Sequence, residues 1–228
     1  GLPAPAQAPA VIAGLGARTY PVVPCDTLDG TAAAVLATAV GDRRIAVVVD
    51  GNVAAVWGDA VRALVPTPLH VAIVPPGEGS KSLAHYGALC AELVAAGTDR
   101  HTVIVAIGGG VTGDLAGLVA ATLLRGLDVV HVPTTLVAMT DSAIGGKTAI
   151  DLPAGKNLVG AFWQPRAVIA PQALLATLPA RERRAGFGEL WKYALLAGPA
   201  VWRAVDACAA WSAAGEGAAP PAALGEVI

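Results

Sequence analysis

Apolar residues along the chain fall into short unbroken runs separated by turn-forming residues. The clearest are 45–50 (IAVVVD), 69–74 (LHVAIV), 103–107 (VIVAI) and 127–132 (LDVVHV). They are rich in branched side chains and do not alternate with polar ones, which is the pattern of strands buried on both faces. Helical periodicity fills the gaps, at about 53–64, from Ser80 or Ser82 to about 96, and at 111–124. Strand–helix alternation over 45–135 predicts a parallel sheet with helices on both faces. Upstream, a short strand near 20–24 and a helix near 31–40 are expected. Downstream, 147–152 and 168–169 are strand-like, and 157–164 (NLVGAFWQ) is apolar with a polar end.

From about 175–180 the pattern becomes wholly helical, at about 181–196, 199–213 and 222–228. The organisation expected is therefore α/β. A flexible lead-in (1–15) precedes a Rossmann-like parallel-sheet domain (16–176), and an all-helical domain begins at 177–228. The last helical pattern runs to Ile228 with nothing that closes a bundle. The expectation is a truncated helical domain, with apolar faces between Trp191 and Trp211 left exposed.

Composition narrows the function classes. The chain has 228 residues, a formal net charge of −2 and a pI near 6.1, which gives no footprint for nucleic acid or an anionic membrane. Mean hydropathy is high at +0.61, largely through alanine, but Asp114, Arg125 and Asp128 interrupt the most apolar region, so no membrane span is expected. The N-terminal residues lack a basic segment and are broken by prolines, unlike a signal peptide. The three cysteines, Cys25, Cys90 and Cys208, are scattered and read as core fillers in a reducing compartment. A cytoplasmic protein is expected.

Candidate chemistry clusters between 103 and 157. The strand at 103–107 runs into Gly108-Gly109-Gly110 and then a helix. A glycine turn feeding a helix N-terminus aims free N–H groups and the positive dipole end at an anion. The same turn also reads as a tight connection. Thr134 and Thr135 follow the next strand, at the strand end where open α/β sheets bind ligands. Asp141-Ser142, Gly145-Gly146-Lys147 and Gly155-Lys156-Asn157 come after, and the two lysines form a second anion-binding candidate. Asp50 ends a strand, where an acidic residue takes a ribose hydroxyl, but Asp50-Gly51-Asn52 equally reads as a helix start capped by Asn52. Glu78 and Lys81 lie beside the expected dinucleotide position, or form a surface salt bridge.

The segments GGGVTGDLAG, LLRG, VPTTL, DSAIGGKT, GKNLVGAFWQP, TLPARE and GELWKY, in that order and spacing, resemble the 3-dehydroquinate synthase family, within the sugar phosphate cyclase superfamily. The resemblance covers about 45–196. It implies an N-terminal domain that binds NAD and a C-terminal helical domain carrying most of a divalent metal site, zinc or, in its place, cobalt. It implies a sugar-acid phosphate substrate, 3-deoxy-D-arabino-heptulosonate 7-phosphate. The C5 alcohol is transiently oxidised, phosphate is eliminated, the ketone is reduced, and the opened ring closes by an aldol step to 3-dehydroquinate. That places the activity in the shikimate pathway, as a phosphate-eliminating lyase. A homodimer is implied as well.

Carried over position by position, the resemblance implies NAD contacts from Asp50 and Asn52, and from Glu78 and Lys81. The glycine turn and its helix contribute Gly109, Gly110, Val111, Thr112, Gly113 and Asp114. Thr134, Thr135 and Ser142 follow, with Leu174, Thr177, Leu178 and Glu182 further on. Lys147 and Asn157 match phosphate-side contacts, and Lys156 matches a residue near the nicotinamide. Asp141 and Lys192 match groups that orient substrate hydroxyls. Arg125 matches an arginine that reaches the neighbouring subunit's substrate phosphate. Glu189 matches the first metal ligand, although from spacing alone it reads as a helix-surface carboxylate paired with Lys192.

The sequence departs from the family pattern in places. The other two family metal ligands are later histidines, and His70, His85, His101 and His131 all precede Glu189. Catalytic zinc ordinarily takes three protein ligands, and later basic residues of the phosphate pocket are also unmatched, so this chain by itself is expected to be inactive or strongly impaired. Ala143, Asp151, Pro171 and Gly188 stand where the family usually has serine, asparagine, aspartate and alanine. Two other readings remain: a cyclase acting on sedoheptulose 7-phosphate, and an NAD-binding module without catalytic activity.

Overall fold

The computed structural model describes residues 10–12, 15–28, 30–214 and 217–228. It contains a seven-stranded sheet of order β1-β2-β9-β6-β5-β3-β4. The strands are β1 (Ala10–Ile12), β2 (Tyr20–Cys25), β3 (Ile45–Asp50), β4 (His70–Val74), β5 (Val103–Gly108), β6 (Asp128–Pro133) and β9 (Ala167–Pro171). Six run parallel, and β1 pairs antiparallel with β2 at one edge, with Ala10 opposite Val22. Every residue of central β5 is buried, which explains its unbroken apolar run. The fold is the Rossmann-like α/β architecture expected. The flexible lead-in lies mostly outside the described residues, but at 10–12 it is corrected by the edge strand.

Four helices cover the two faces. On one side α1 (Gly30–Val40) and α2 (Gly51–Leu64) pack on Val47, Val49, Val105 and Ile107. On the other, α3 (Leu83–Ala95) and α4 (Gly110–Thr122) pack on Ala46, Val48, Ile104 and Ala106. Helix α4 is apolar nearly all round because it is covered twice. Its outer side carries an antiparallel hairpin, β7 (Lys147–Leu152) and β8 (Gly155–Phe162), docked through Ile150. The approach is close: a Cβ on Gly117 would stand 2.5 Å from Thr148 Cγ2.

Several boundaries differ from expectation. Asp50, not Asn52, caps α2, because its Oδ1 accepts from the N–H groups of Asn52 and Val53. Of the two expected caps it is Ser82 that caps α3, while Ser80 ends a separate 3-10 turn at Glu78–Ser80. Helix α4 stops at Thr122, since Leu124 and Arg125 turn left-handed with φ of 53° and 69°. The 157–164 segment, given no element from sequence, supplies most of β8, which is largely exposed although Leu158, Val159 and Phe162 are apolar. Ala138–Ser142 forms a π-helical turn.

Two further helices follow, α5 (Ala180–Ala197) and α6 (Pro199–Ser212). Phe187, Leu190, Val205, Cys208 and Trp211 share a core with Leu136, Met139 and Ala170 of the α/β part. The 222–228 segment is not a helix. It is a 3-10 turn at Ala222–Glu226 that folds back with Leu224 fully buried in that core. The expected exposed face is therefore only partial: Trp211 is buried, whereas Leu195, Leu196 and Trp202 are exposed. No described helix is long and apolar enough to cross a membrane.

Candidate active site

Parallel strands end on a common edge, so residues just beyond β3, β5 and β6 converge in space. Asp50 closes β3, Gly109 and Gly110 follow β5, and Thr134 and Thr135 follow β6. Together with Asn52, Glu78, Lys81, Val111, Asp114, Ser142, Leu174, Thr177, Leu178 and Glu182 they line a cleft of about 690 Å³, ample for an extended small ligand.

The cleft's floor is the N-terminus of α4. Gly109 is extended and offers no side-chain cap, so the first N–H groups of α4 precede the helical ladder. Ser142 Oγ lies against this turn, 3.0 Å from where a Cβ on Gly110 would stand, and it is buried without a hydrogen-bond partner. Both features suit a close-lying phosphate group. On the opposite wall Trp57 Nε1 donates to Thr177 Oγ1 at 2.9 Å, and Thr177 Oγ1 donates to the Leu174 carbonyl.

The cation buried in the cleft wall is Lys81, at 5% exposure. Its Nζ donates to Asp114 Oδ2 at 2.7 Å and to Asn157 Oδ1 at 2.5 Å. Burial pushes the Asp114 carboxyl above its ordinary value, while the hydrogen bond and charge of Lys81 pull it back. Lys81 thus sits in the loop before α3, but its ion pair is buried rather than a surface salt bridge.

A second cleft of about 460 Å³ adjoins the first and shares Asp114 and Ser142 with it. Asp141, Lys147 and Asn157 line it, with Leu158 and Phe162 from β8. Lys147 Nζ donates to Asp141 Oδ1 at 2.8 Å, and Tyr193 Oη of α5 donates to the same oxygen at 3.4 Å. A cation, an amide and a carboxylate face one small space, an arrangement able to hold a phosphate beside hydroxyl groups.

Other sequence-derived candidates fall elsewhere. Thr112 is fully buried inside α4, and Gly113 is likewise off both cleft walls. Lys156 is largely exposed and pairs at 3.1 Å with Glu78, which lines the first cleft, whereas Lys147 lines the second. Arg125 is exposed on the left-handed turn after α4, outside both clefts. Glu189 and Lys192 pair with each other along α5, the arrangement their spacing alone suggests. That hydrogen bond, with lesser contributions from Tyr193 and Asp141, raises the Lys192 ammonium above its ordinary value.

Among the described residues no three His, Cys, Asp or Glu side chains come together as a metal site. His70 pairs with Glu92, His85 with Ser82, and His131 is packed in the core, where burial pushes it down to about 4. Among the described residues the three cysteines form no disulfide. Sequence reasoning missed the cleft residues Val53, Val56, Trp57, Pro76, Gly77, Val137 and Pro179. The available signal was position: Val53 and Trp57 are one helical turn apart, just past the Asp50 cap.

Comparison with known proteins adds to this geometry. Residues 71–185 match the family model for the 3-dehydroquinate synthase N-terminal region. The 3-dehydroquinate synthase of Opitutus terrae is 47% identical over 188 residues, covering 82% of this chain and 52% of that protein. The chain spans about half the length of the curated relatives it matches. A crystal structure of 2-deoxy-scyllo-inosose synthase complexed with carbaglucose-6-phosphate, NAD+ and Co2+ superposes with a TM-score of 0.71 at 31% identity, covering 81% of this chain and 50% of that one. The 2-epi-5-epi-valiolone synthase of Streptomyces hygroscopicus, with NAD+ and Zn2+ bound, gives 0.68 at 31%, covering 75% and 48%.

Proposed function

The chain belongs to the 3-dehydroquinate synthase family, and from that premise we propose that it carries the NAD-binding and phosphate-binding half of an enzyme converting 3-deoxy-D-arabino-heptulosonate 7-phosphate to 3-dehydroquinate and phosphate. The observation that carries the reading is the pair of adjoining clefts. One is built on a helix N-terminus at the strand ends, and the other is lined by Lys147, Asn157 and Asp141.

The first cleft suits NAD: the N–H groups of α4 and the orphan Ser142 hydroxyl would take the pyrophosphate, and Asp50 would take a ribose hydroxyl. Bound NAD would supply a hydride acceptor that later returns the hydride. Lys147 and Asn157 would hold the substrate phosphate, and Asp141 would orient substrate hydroxyls. The described residues do not fit a complete divalent metal site, since Glu189 is paired with Lys192 and meets no second or third ligand. Lys192 is paired with Glu189 and lines neither cleft. Arg125, projecting from an exposed turn, would serve a neighbouring copy's substrate in a homodimer.

The solved cyclases at 31% identity favour a second reading in which the substrate is another sugar phosphate, such as sedoheptulose 7-phosphate. Calorimetric titration separates the two. NAD is added first, then each sugar phosphate to the NAD-loaded chain. Expected are NAD binding and tighter binding of the heptulosonate phosphate. Preference for sedoheptulose 7-phosphate would move the assignment to the second reading. Absence of NAD binding would overturn both.

A further inference from the structure

Asn157 is one of three described residues other than glycine with a left-handed backbone, at φ 56°. Asparagine tolerates that region better than most residues, but it still needs support from its surroundings. Two neighbours supply it. The Asn157 N–H donates to Asp151 Oδ1 at 2.7 Å, across the β7–β8 turn. The Asn157 side-chain oxygen accepts from the buried Lys81 Nζ at 2.5 Å. Asp151 is itself fixed, because its N–H donates to the Lys81 carbonyl at 2.8 Å. One residue thus grips the hairpin with both its main chain and its side chain.

The consequence is directional. With Oδ1 turned to Lys81, the Asn157 amide must present its Nδ2 donors elsewhere, and the residue lines the second cleft. Lys81 also lines the first cleft and pairs with Asp114, which lines both. We propose that Asp151 and Lys81 are positioning residues for Asn157: Asp151 locks its left-handed backbone and Lys81 sets its amide flip, so that Nδ2 donates to the anion in the second cleft. The proposal rests on reading that cleft as the phosphate half of the site.

What matters at 151 is an acceptor atom at the right distance, not a negative charge, and substitutions separate these. Asp151→Asn keeps the acceptor and removes the charge. Asp151→Glu keeps the charge and moves the acceptor. Asp151→Ala removes both. The experiment titrates inorganic phosphate into the 15N-labelled, NAD-loaded chain and follows the Asn157 side-chain NH2 resonance, assigned by its loss in Asn157→Asp. Calorimetric NAD affinity and the thermal midpoint are measured alongside.

Loss of one hydrogen bond corresponds to an affinity change of about 3- to 10-fold. Phosphate affinity is expected to fall by that much in Asp151→Ala and Asp151→Glu, to stay within about twofold in Asp151→Asn, and NAD affinity to stay unchanged in all three. If Asp151→Ala does not fold, the Asn and Glu variants carry the same contrast. Asp151→Asn as weak as Asp151→Glu would overturn the proposal, as would wild-type affinity in Asp151→Glu. Phosphate that shifts the resonances around Lys147 but not the Asn157 amide would overturn it while leaving the proposed function standing. Failure of the wild-type chain to bind either NAD or phosphate would remove the functional reading and the proposal with it.

Discussion

The two clefts lie side by side and are built in opposite ways. The first is made of strand ends and a helix N-terminus, and its frame is the sheet, whose central strand is wholly buried. Its shape is set by apolar packing, so it forms when the sheet forms. The second lies against an exposed hairpin and is shaped by polar contacts such as Lys147–Asp141, whose side chains are 51% and 32% exposed. Pairs of that kind contribute little to stability. The first cleft should therefore be rigid and insensitive to salt. The second should depend on the few buried polar contacts that reach it, chiefly Lys81.

The comparison breaks most visibly if that link is cut. Lys81→Met leaves the Asp114 carboxylate buried without its cation, a change that costs about 3–5 kcal/mol. Urea unfolding at pH 7 measures it. Burial already raises the Asp114 pKa, so the deficit should shrink as the pH falls and the carboxyl takes a proton. Adding Asp114→Leu should restore much of the loss. A Lys81→Met chain of wild-type stability would mean that the clefts are not joined through this residue.

A smaller effect tests the rigid side. His131 is packed beneath α4, close to Gly113 and Gly117, and burial lowers its pKa from 6.5 to about 4. The folded chain thus binds fewer protons than the unfolded chain between those values. Stability tied to His131 is complete above about pH 6.5 and is lost as the pH falls toward 4, by roughly 3 kcal/mol in all. In His131→Leu that share of the acid sensitivity should disappear, read as the difference between urea midpoints at pH 7 and pH 4.5. An unchanged pH slope would show that the support beneath α4 is looser than its burial implies.

The same contrast governs how much the sequence reveals. Buried parallel strands write unbroken apolar runs, and β3, β5 and β6 were legible from those runs; β4 writes one too, although it is an edge strand with Val71 and Ile73 exposed rather than a strand buried on both faces. The glycine turn and the two threonines were legible because strand ends gather ligand contacts in any parallel sheet. The hairpin strand β8 was not, because its residues face solvent, and neither periodicity nor burial marks Asn157 as left-handed. Asp50 shows the ambiguity at its sharpest: its two readings were not exclusive, since Oδ1 caps α2 while the residue lines the cleft. The 222–228 segment misled because its apolar spacing fits a buried 3-10 turn as well as a helix. The pairing of Lys81 with Asp114 and Asn157 spans 76 residues, a distance that no local pattern records.

Trp57 offers the finest test. Its indole N–H reaches Thr177 Oγ1, tying α2 to the segment that leads into α5 across the first cleft. Trp57→Phe keeps an aromatic ring on the wall and removes only that donor, so stability should fall by about 1 kcal/mol or less. NAD affinity should drop by about 2- to 10-fold, measured by calorimetry, because the Thr177 hydroxyl keeps only its bond to the Leu174 carbonyl and loses the one across the cleft. Phosphate affinity in the second cleft should not change, since no part of the Lys81–Asn157 connection passes through α2. A selective loss of NAD would show that each cleft has its own frame, with Lys81 as the joint. A parallel loss of both ligands would mean that the wall at Trp57 braces the whole site, and that two clefts which differ in construction respond as one.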